Sequence, residues 1–360
     1  MVARAELQSK LETVAPALAD NDIVPGYTHF YFTGDSILAN NERIAITVPL
    51  SDAGFEGLLP PILLSHVKTN PLAAEAKITP NGNGALMKIG NTEIKMHVQP
   101  ADHYRFKMPN KPRASEGKLD NDCGLYSAIQ DCMPSISSYA TVPDQLGITM
   151  LQDGRDLRLF ATNRSTISAS SVRMNIGLRD RVILSTPFCE QMLRLNKLAP
   201  ADNQRQLVIR NDHVLFAVGD ILLFGKLVNP SNTPLDFVAV VKRHLPRNFP
   251  NCMAEMDEEG EQRARLKVAL NYAASVTSVI GSETKTKIVA SNNLLKFIAI
   301  SERGEILDKM KVAKHPDVEI NVNARLLVEG YDRYEKFLLT ERCAIMSKGN
   351  SVYLVAAFDD

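Results

Sequence analysis

Seven histidines are the side chains here best suited to metal or acid–base chemistry, and their spacing argues against both. His29, His66, His97, His103, His213, His244 and His315 include no HExxH pattern, so no helix is set to present two imidazoles to one ion. The five cysteines, Cys123, Cys132, Cys189, Cys252 and Cys343, are odd in number and form no CxxC pair. They read as reduced packing thiols of a cytosolic protein, with a structural metal site as the weaker alternative. No GxSxG, P-loop or GxGxxG occurs, and the NGNG at 81–84 lies between alternating segments, where a hairpin turn suits it better than a phosphate cradle. The expectation is a chain with no catalytic residue, no metal and no cofactor.

Charge narrows the partners. Forty-one basic residues against forty-one acidic ones leave no net field, so any contact with nucleic acid has to be local. Residues 1–22 carry scattered charges and no apolar h-region, and no apolar run has the length of a membrane helix, which predicts a cytoplasmic protein with no membrane partner. A chain of 360 residues predicts two or three domains.

The elements that must position any site repeat along the chain. Leu7, Leu11, Val14 and Leu18 predict a helix over 3–18, and residues 28–49 alternate as strands with Asn40 and Asn41 as a turn signal. A unit of strand, helix and tight-turned strands occurs at 58–98, 182–228 and 318–358. Pro61 and Pro187 suit its first helical turn, and Ser185, Thr186 and Asn323 suit its cap. A second unit, helix followed by hairpins, starts near 3, 121 and 261. Six half-units make an α+β chain of three tandem domains, 1–112, 113–247 and 248–360, with linkers at 109–117 and 245–261.

Those residues resemble the bacterial sliding clamp, the beta subunit of DNA polymerase III. The likeness is clearest over 182–228, where the PFCEQMLRL helix leads into RNDHVLFAVGDILLFGKLV, and is supported by LRLFATNR at 157–164 and the terminal YLVAAFDD. It implies a clamp fold, a head-to-tail homodimer closing into a ring with helices lining the hole, and a processivity factor that encircles double-stranded DNA without reading its sequence. It also implies a replicative polymerase and a clamp loader as partners. The resemblance is that of a divergent member, of a kind that would suit a phage or other mobile element, acting in the bacterial cytoplasm or in an infected host cell.

On that resemblance the DNA-facing cations are Arg4, Lys10, Lys68, Arg194, Lys197, Arg263, Lys267 and Arg333, with Arg194 in QMLRL the most direct transfer. The partner-peptide cleft takes Thr162, Arg164, Ser165, Thr166 and Ile167 on one wall, Pro234 and Val241 nearby, and Leu354, Ala356 and Phe358 at the end. Leu354 fits a strand core equally well, whereas Phe358, beside Asp359 and Asp360, reads as an exposed anchor. Several features depart from the family, among them a balanced net charge and the acidic Asp359 and Asp360 where the family's tail is apolar or basic. The helix near 121 carries Asp131 and no cation, the 20–22 loop is acidic, and Arg164 and Ser165 stand where the family has glycine and histidine. The dimer seam is expected near 93–98 and 272–280. Alternatives are a clamp-fold mobile scaffold for transcription or repair proteins, and a virion or assembly protein that does not bind DNA.

Overall fold

The computed structural model describes residues 2–358 except 22, 52–53, 83, 121–122, 138, 140, 232–233, 248, 250–253, 256–260, 278–284, 293, 302–303 and 312–315. The chain forms two compact units, Met1–Cys123 with Leu184–Leu227, and Gly124–Ile183 with Val228–Asp360.

In the first unit, helix α1 (Arg4–Val14) turns Leu7, Leu11 and Val14 inward at helical spacing. α2 (Ile62–Thr69) begins directly after Pro61. An eight-stranded sheet contains β2 (Phe30–Thr33), β3 (Ser36–Asn40), β4 (Ile44–Pro49), β5 (Glu56–Leu59), β9 (Lys118–Leu119), β14 (Arg205–Ile209), β15 (His213–Val218) and β16 (Ile221–Lys226), in the order β5, β2, β3, β4, β16, β15, β14, β9. A four-stranded sheet contains β1 (Val2–Ala3), β6 (Glu75–Asn81), β7 (Gly84–Ile89) and β8 (Thr92–His97), in that order.

The second unit repeats the eight-stranded plan. Its strands are β10 (Gly147–Asp153), β11 (Asp156–Thr162), β12 (Thr166–Arg173), β13 (Val182–Ser185), β17 (Ala254–Glu255), β22 (Lys336–Leu339), β23 (Cys343–Lys348) and β24 (Ser351–Ala356), in the order β13, β10, β11, β12, β24, β23, β22, β17. Its four-stranded sheet runs β20 (Gly304–Lys311), β19 (Leu294–Ser301), β18 (Thr286–Ser291), β21 (Val318–Val322). The helices are α3 (Leu125–Cys132), α5 (Phe237–His244), α6 (Glu261–Thr277) and α7 (Ala324–Tyr331). The unit boundary at 183–184 falls inside β13, which leads into α4 (Thr186–Leu198) of the first unit.

Each eight-stranded sheet is a seam between two halves. β4 pairs antiparallel with β16, and β12 with β24, so each sheet joins strands from consecutive stretches of the sequence-predicted division. The four-stranded sheets have the plan of single halves: β8, β7, β6, β1 repeats β16, β15, β14, β9, and β21, β18, β19, β20 repeats β5, β2, β3, β4. Among the described residues, β8 pairs only with β7 and β20 only with β19.

Helix packing fixes these layers. α4 buries Phe188, Cys189, Met192 and Leu195, and a Cβ at Gly225 in β16 would stand 2.4 Å from the Phe188 ring, so glycine is required there. Asn323 caps α7 as its residue type predicts, accepting from the Arg325 N–H at 3.0 Å. Ser185 occupies the same position before α4 but its hydroxyl makes no cap bond. No helix among the described residues is long and apolar enough to cross a membrane.

Candidate functional site

Three of the four arginines nominated to face DNA, Arg4, Arg194 and Arg333, are occupied by helix ends. The Arg4 guanidinium donates to the Val67 carbonyl in the last turn of α2 at 3.2 Å and to Gln8 Oε1 at 2.7 Å. Arg194, half-buried on α4, donates to the Glu12 and Thr13 carbonyls that end α1, at 3.4 and 2.5 Å, and to Gln191 Oε1 at 2.6 Å. Arg333 donates to the Gln130 carbonyl at the end of α3. Neither α1 nor α3 has a basic residue in its own last turn, so another segment supplies the cation that these carbonyls attract. Burial pulls the Arg194 pKa down from its ordinary value.

The lysines divide differently. Lys68 pairs with Glu12 at 3.0 Å and Lys267 with Asp332 at 2.6 Å. Lys10 on α1 and the exposed Lys197 in the last turn of α4 have no hydrogen bond or ion pair among the described residues. Arg263 lies on α6, and its side chain is outside the described residues.

The residues nominated for a cleft all lie within the second unit, and those of the β11–β12 turn meet β24. Thr162 ends β11, and its hydroxyl donates to the Thr166 carbonyl at 2.8 Å. Arg164 sits at the tip of the β11–β12 turn with φ 77°, exposed beside Ser165. The turn is tied by Asn163 Oδ1, which accepts from the Ser165 and Thr166 N–H groups at 3.1 and 2.8 Å. Exposed Ala356 donates its N–H to the Ser165 carbonyl at 2.9 Å, and Ile167 pairs in register with Leu354. Leu354 is 3% exposed, in one apolar cluster with Val241, Phe160 and Phe237, and is therefore core under α5. Phe358 is half-buried, with its N–H on the Asn321 carbonyl at 2.8 Å and Lys285 Nζ 5.5 Å from its ring centroid. Pro234 is exposed in the segment leading to α5.

No protein-family model and no curated protein sequence matches the chain. Solved structures match it along its whole length. The sliding clamp, DNA polymerase III subunit beta, of Pseudomonas aeruginosa superposes with TM-score 0.81 at 20% identity, covering 99% of this chain and 98% of that one. The fold is that of the DNA polymerase III beta sliding clamps. The beta subunit of Streptococcus pyogenes DNA polymerase gives TM-score 0.82 at 16% identity over 100% and 99% of the two chains. That of Thermotoga maritima gives 0.81 at 17% over 99% and 98%.

Within this fold the sequence reading missed what holds α5 against the residues nominated for a cleft. Asp144, fully buried, accepts from Arg181 Nη2 at 3.1 Å, the Leu235 N–H at 3.1 Å and the Ser231 N–H at 3.5 Å. That carboxylate pins the segment carrying Pro234, and Phe237 then stacks on Phe160 at 5.3 Å between centroids. A signal for α5 was present: Asp236 caps it, accepting from the Ala239 N–H at 2.9 Å, and Lys242, Arg243 and His244 fill its last turn.

β12 turns opposite faces to different layers. Ile167 and Ala169 pack toward α5, while Thr166, Ser168 and Ser170 are buried on the other face. There Ser135 bonds Ser168 at 2.8 Å and Thr166 at 3.0 Å, Ser170 bonds Ser351 at 2.8 Å, and Ser351 donates to Asp131 Oδ2 at 2.7 Å. Burial raises the Asp131 pKa, against the lowering effects of the Ser351 bond and of Arg333 and Lys348. The folded protein thus favours the protonated acid more than the unfolded chain does, so this residue's contribution to stability grows as pH falls from neutral toward the ordinary aspartate range. Asp131→Asn keeps an acceptor for Ser351 and is expected to melt higher than the parent at pH 7, with the difference shrinking at about pH 4.5. Paired melting curves at the two pH values check it; a lower melting point at pH 7 would contradict the desolvation argument.

Proposed function

We propose that the chain is a DNA polymerase processivity clamp, a scaffold and not an enzyme, of which two copies close into a ring around duplex DNA. The observation that carries this reading is the whole-chain likeness to beta sliding clamps at TM-scores of 0.81–0.82.

The strand orders support the ring. A β4-type edge meets a β16-type edge inside each eight-stranded sheet, and β20 and β8 are the corresponding edges of the two remaining halves. Pairing β20 of one copy with β8 of another would complete an eight-stranded sheet, and the same contact made twice closes the assembly instead of extending a filament. The expected seam at 93–98 falls on β8; that at 272–280 reaches the end of α6 and runs outside the described residues, while the unpaired edge of that region is β20. In this reading the three domains are 1–112, 113–247 and 248–360, joined through the two seams. The cleft beneath α5 takes apolar peptide anchors of the polymerase and of the clamp loader. Among the nominated cations whose side chains are described, Lys10 and Lys197 are those left to meet phosphate.

The absence of a net charge, with two of the described nominated cations uncommitted, means weak adhesion, so retention has to come from encirclement. Loaded onto nicked circular DNA at physiological salt, the protein is expected to stay bound and then to be lost soon after the circle is cut. Equal lifetimes on circular and linearised DNA would refute the ring.

A further inference from the structure

The first unit holds a pocket of about 500 Å³ that the clamp reading does not use. It opens between the segment following α1, the β3–β4 turn and the start of α4, and that volume is in the range of ligand-binding cavities. Its charge is unbalanced: Asp20, Glu42 and Glu190 line it against the single guanidinium of Arg43, and none of the four is in an ion pair among the described residues. Its apolar wall includes Tyr27 and Ile23, and Ile23 is 81% exposed.

The β3–β4 turn in this wall is built like the cleft turn of the second unit. Asn41 Oδ1 accepts from the Arg43 and Ile44 N–H groups at 3.2 and 3.0 Å, as Asn163 does from Ser165 and Thr166. Glu42 takes the tip with φ 69°, where the cleft has Arg164 with φ 77°. The two sheets carry these turns at the same place in their strand order, so one scaffold presents opposite charges at its tip.

We infer that this pocket is a second docking site, and that its occupant is a lysine- or arginine-bearing segment of a partner protein with an aliphatic anchor beside the cation. The three carboxylates meet the cationic side chain, and Ile23 and Tyr27 receive the anchor. Arg43 can meet a carbonyl of the same peptide.

The full-length protein is titrated with acetyl-Leu-Arg-Leu-Arg-amide and, separately, with acetyl-Leu-Glu-Leu-Glu-amide, following isoleucine methyl signals by NMR. The basic peptide is expected to shift Ile23 and Ile44 while leaving Ile167 of the cleft unmoved, and to bind roughly fivefold to tenfold more tightly than the acidic one. Glu42→Lys with Glu190→Lys should abolish that preference, and raising the salt from about 0.05 M to about 0.5 M should weaken binding by the parent. Salt dependence of the parent is read without any variant, so a double variant that folds poorly does not void the test. Equal affinity for the two peptides, shifts confined to Ile167, or no shift at about 5 mM peptide would each overturn the site. Neither DNA nor polymerase enters the measurement, so its failure would leave the clamp reading untouched.

Discussion

Asp144→Ala is expected to remove about 3–5 kcal/mol from the second unit, because it takes one partner out of a buried ion pair and leaves the other. Arg181 is only 16% exposed at its side chain and would lose its carboxylate, and the Leu235 N–H would lose its acceptor. Such a loss corresponds to a fall in melting temperature of roughly 6–20 °C for a body of this size. The consequence for function is specific. With the Ser231 and Leu235 N–H groups released, α5 is no longer held with Phe237 against Phe160 and Val241 over the Leu354 cluster, so the proposed cleft should lose a wall and with it affinity for an apolar peptide. The double change Asp144→Leu with Arg181→Met removes both charges at similar volume and should recover much of the stability, since buried ion pairs exchanged for packed apolar groups are often neutral. Peptide affinity should recover less, because leucine cannot accept from the Leu235 N–H. Urea midpoints and peptide titrations on the three proteins decide it: an Asp144→Ala midpoint within about 0.5 kcal/mol of the parent would show that the pair anchors nothing.

The sequence carried the elements well and the partnerships of those elements poorly, for a physical reason. Leu7, Leu11 and Val14 mark one face of α1, and Asn40–Asn41 or Asn163 mark turns, because helical period and turn chemistry are local. The half-unit repeats were legible for the same reason. That β4 joins β16, and β12 joins β24, was not: alternation fixes which face of a strand is buried and does not name the strand beside it. Of the residues nominated for a cleft, those at the β11–β12 turn and along β24 come together because the turn and the strand are paired. The role of Leu354 stayed open because a period-2 strand gives a core residue and a cleft-floor residue the same pattern. The cations were least legible. An arginine in an exposed-looking helix suits a phosphate, yet its planar fork also suits a pair of carbonyl oxygens, and the sequence displays the donor without the acceptors. Arg205 shows how far this goes: it is 4% exposed and donates to Asn196 Oδ1 at 2.6 Å and the Asn203 carbonyl at 2.6 Å, closing the end of α4.

Arg194→Met should separate these two roles of a cation, costing about 2–3 kcal/mol of stability while changing DNA retention less than the exposed neighbour does. The magnitude follows from charge-assisted bonds to the carbonyls of Glu12 and Thr13, which end a helix with no cation of its own. Methionine preserves the stem against α4 and removes only the fork, so the lost stability reports the tie and not the packing. Arg194→Lys should recover part of it, since an ammonium can reach one carbonyl where the guanidinium spans two. Lys197→Glu is the complementary change: exposed and unengaged, it should leave the melting temperature within about 1 °C of the parent yet weaken retention on circular DNA, most at low salt. Charge reversal of both residues together confounds the two effects, because a destabilised α1 and a repelled phosphate both lower retention. The deciding comparison sets melting temperature against the salt dependence of retention for each single variant. If Arg194→Met kept full stability and lost the larger share of retention, the guanidinium would be a phosphate contact after all, and the carbonyl tie between α4 and α1 would carry no weight.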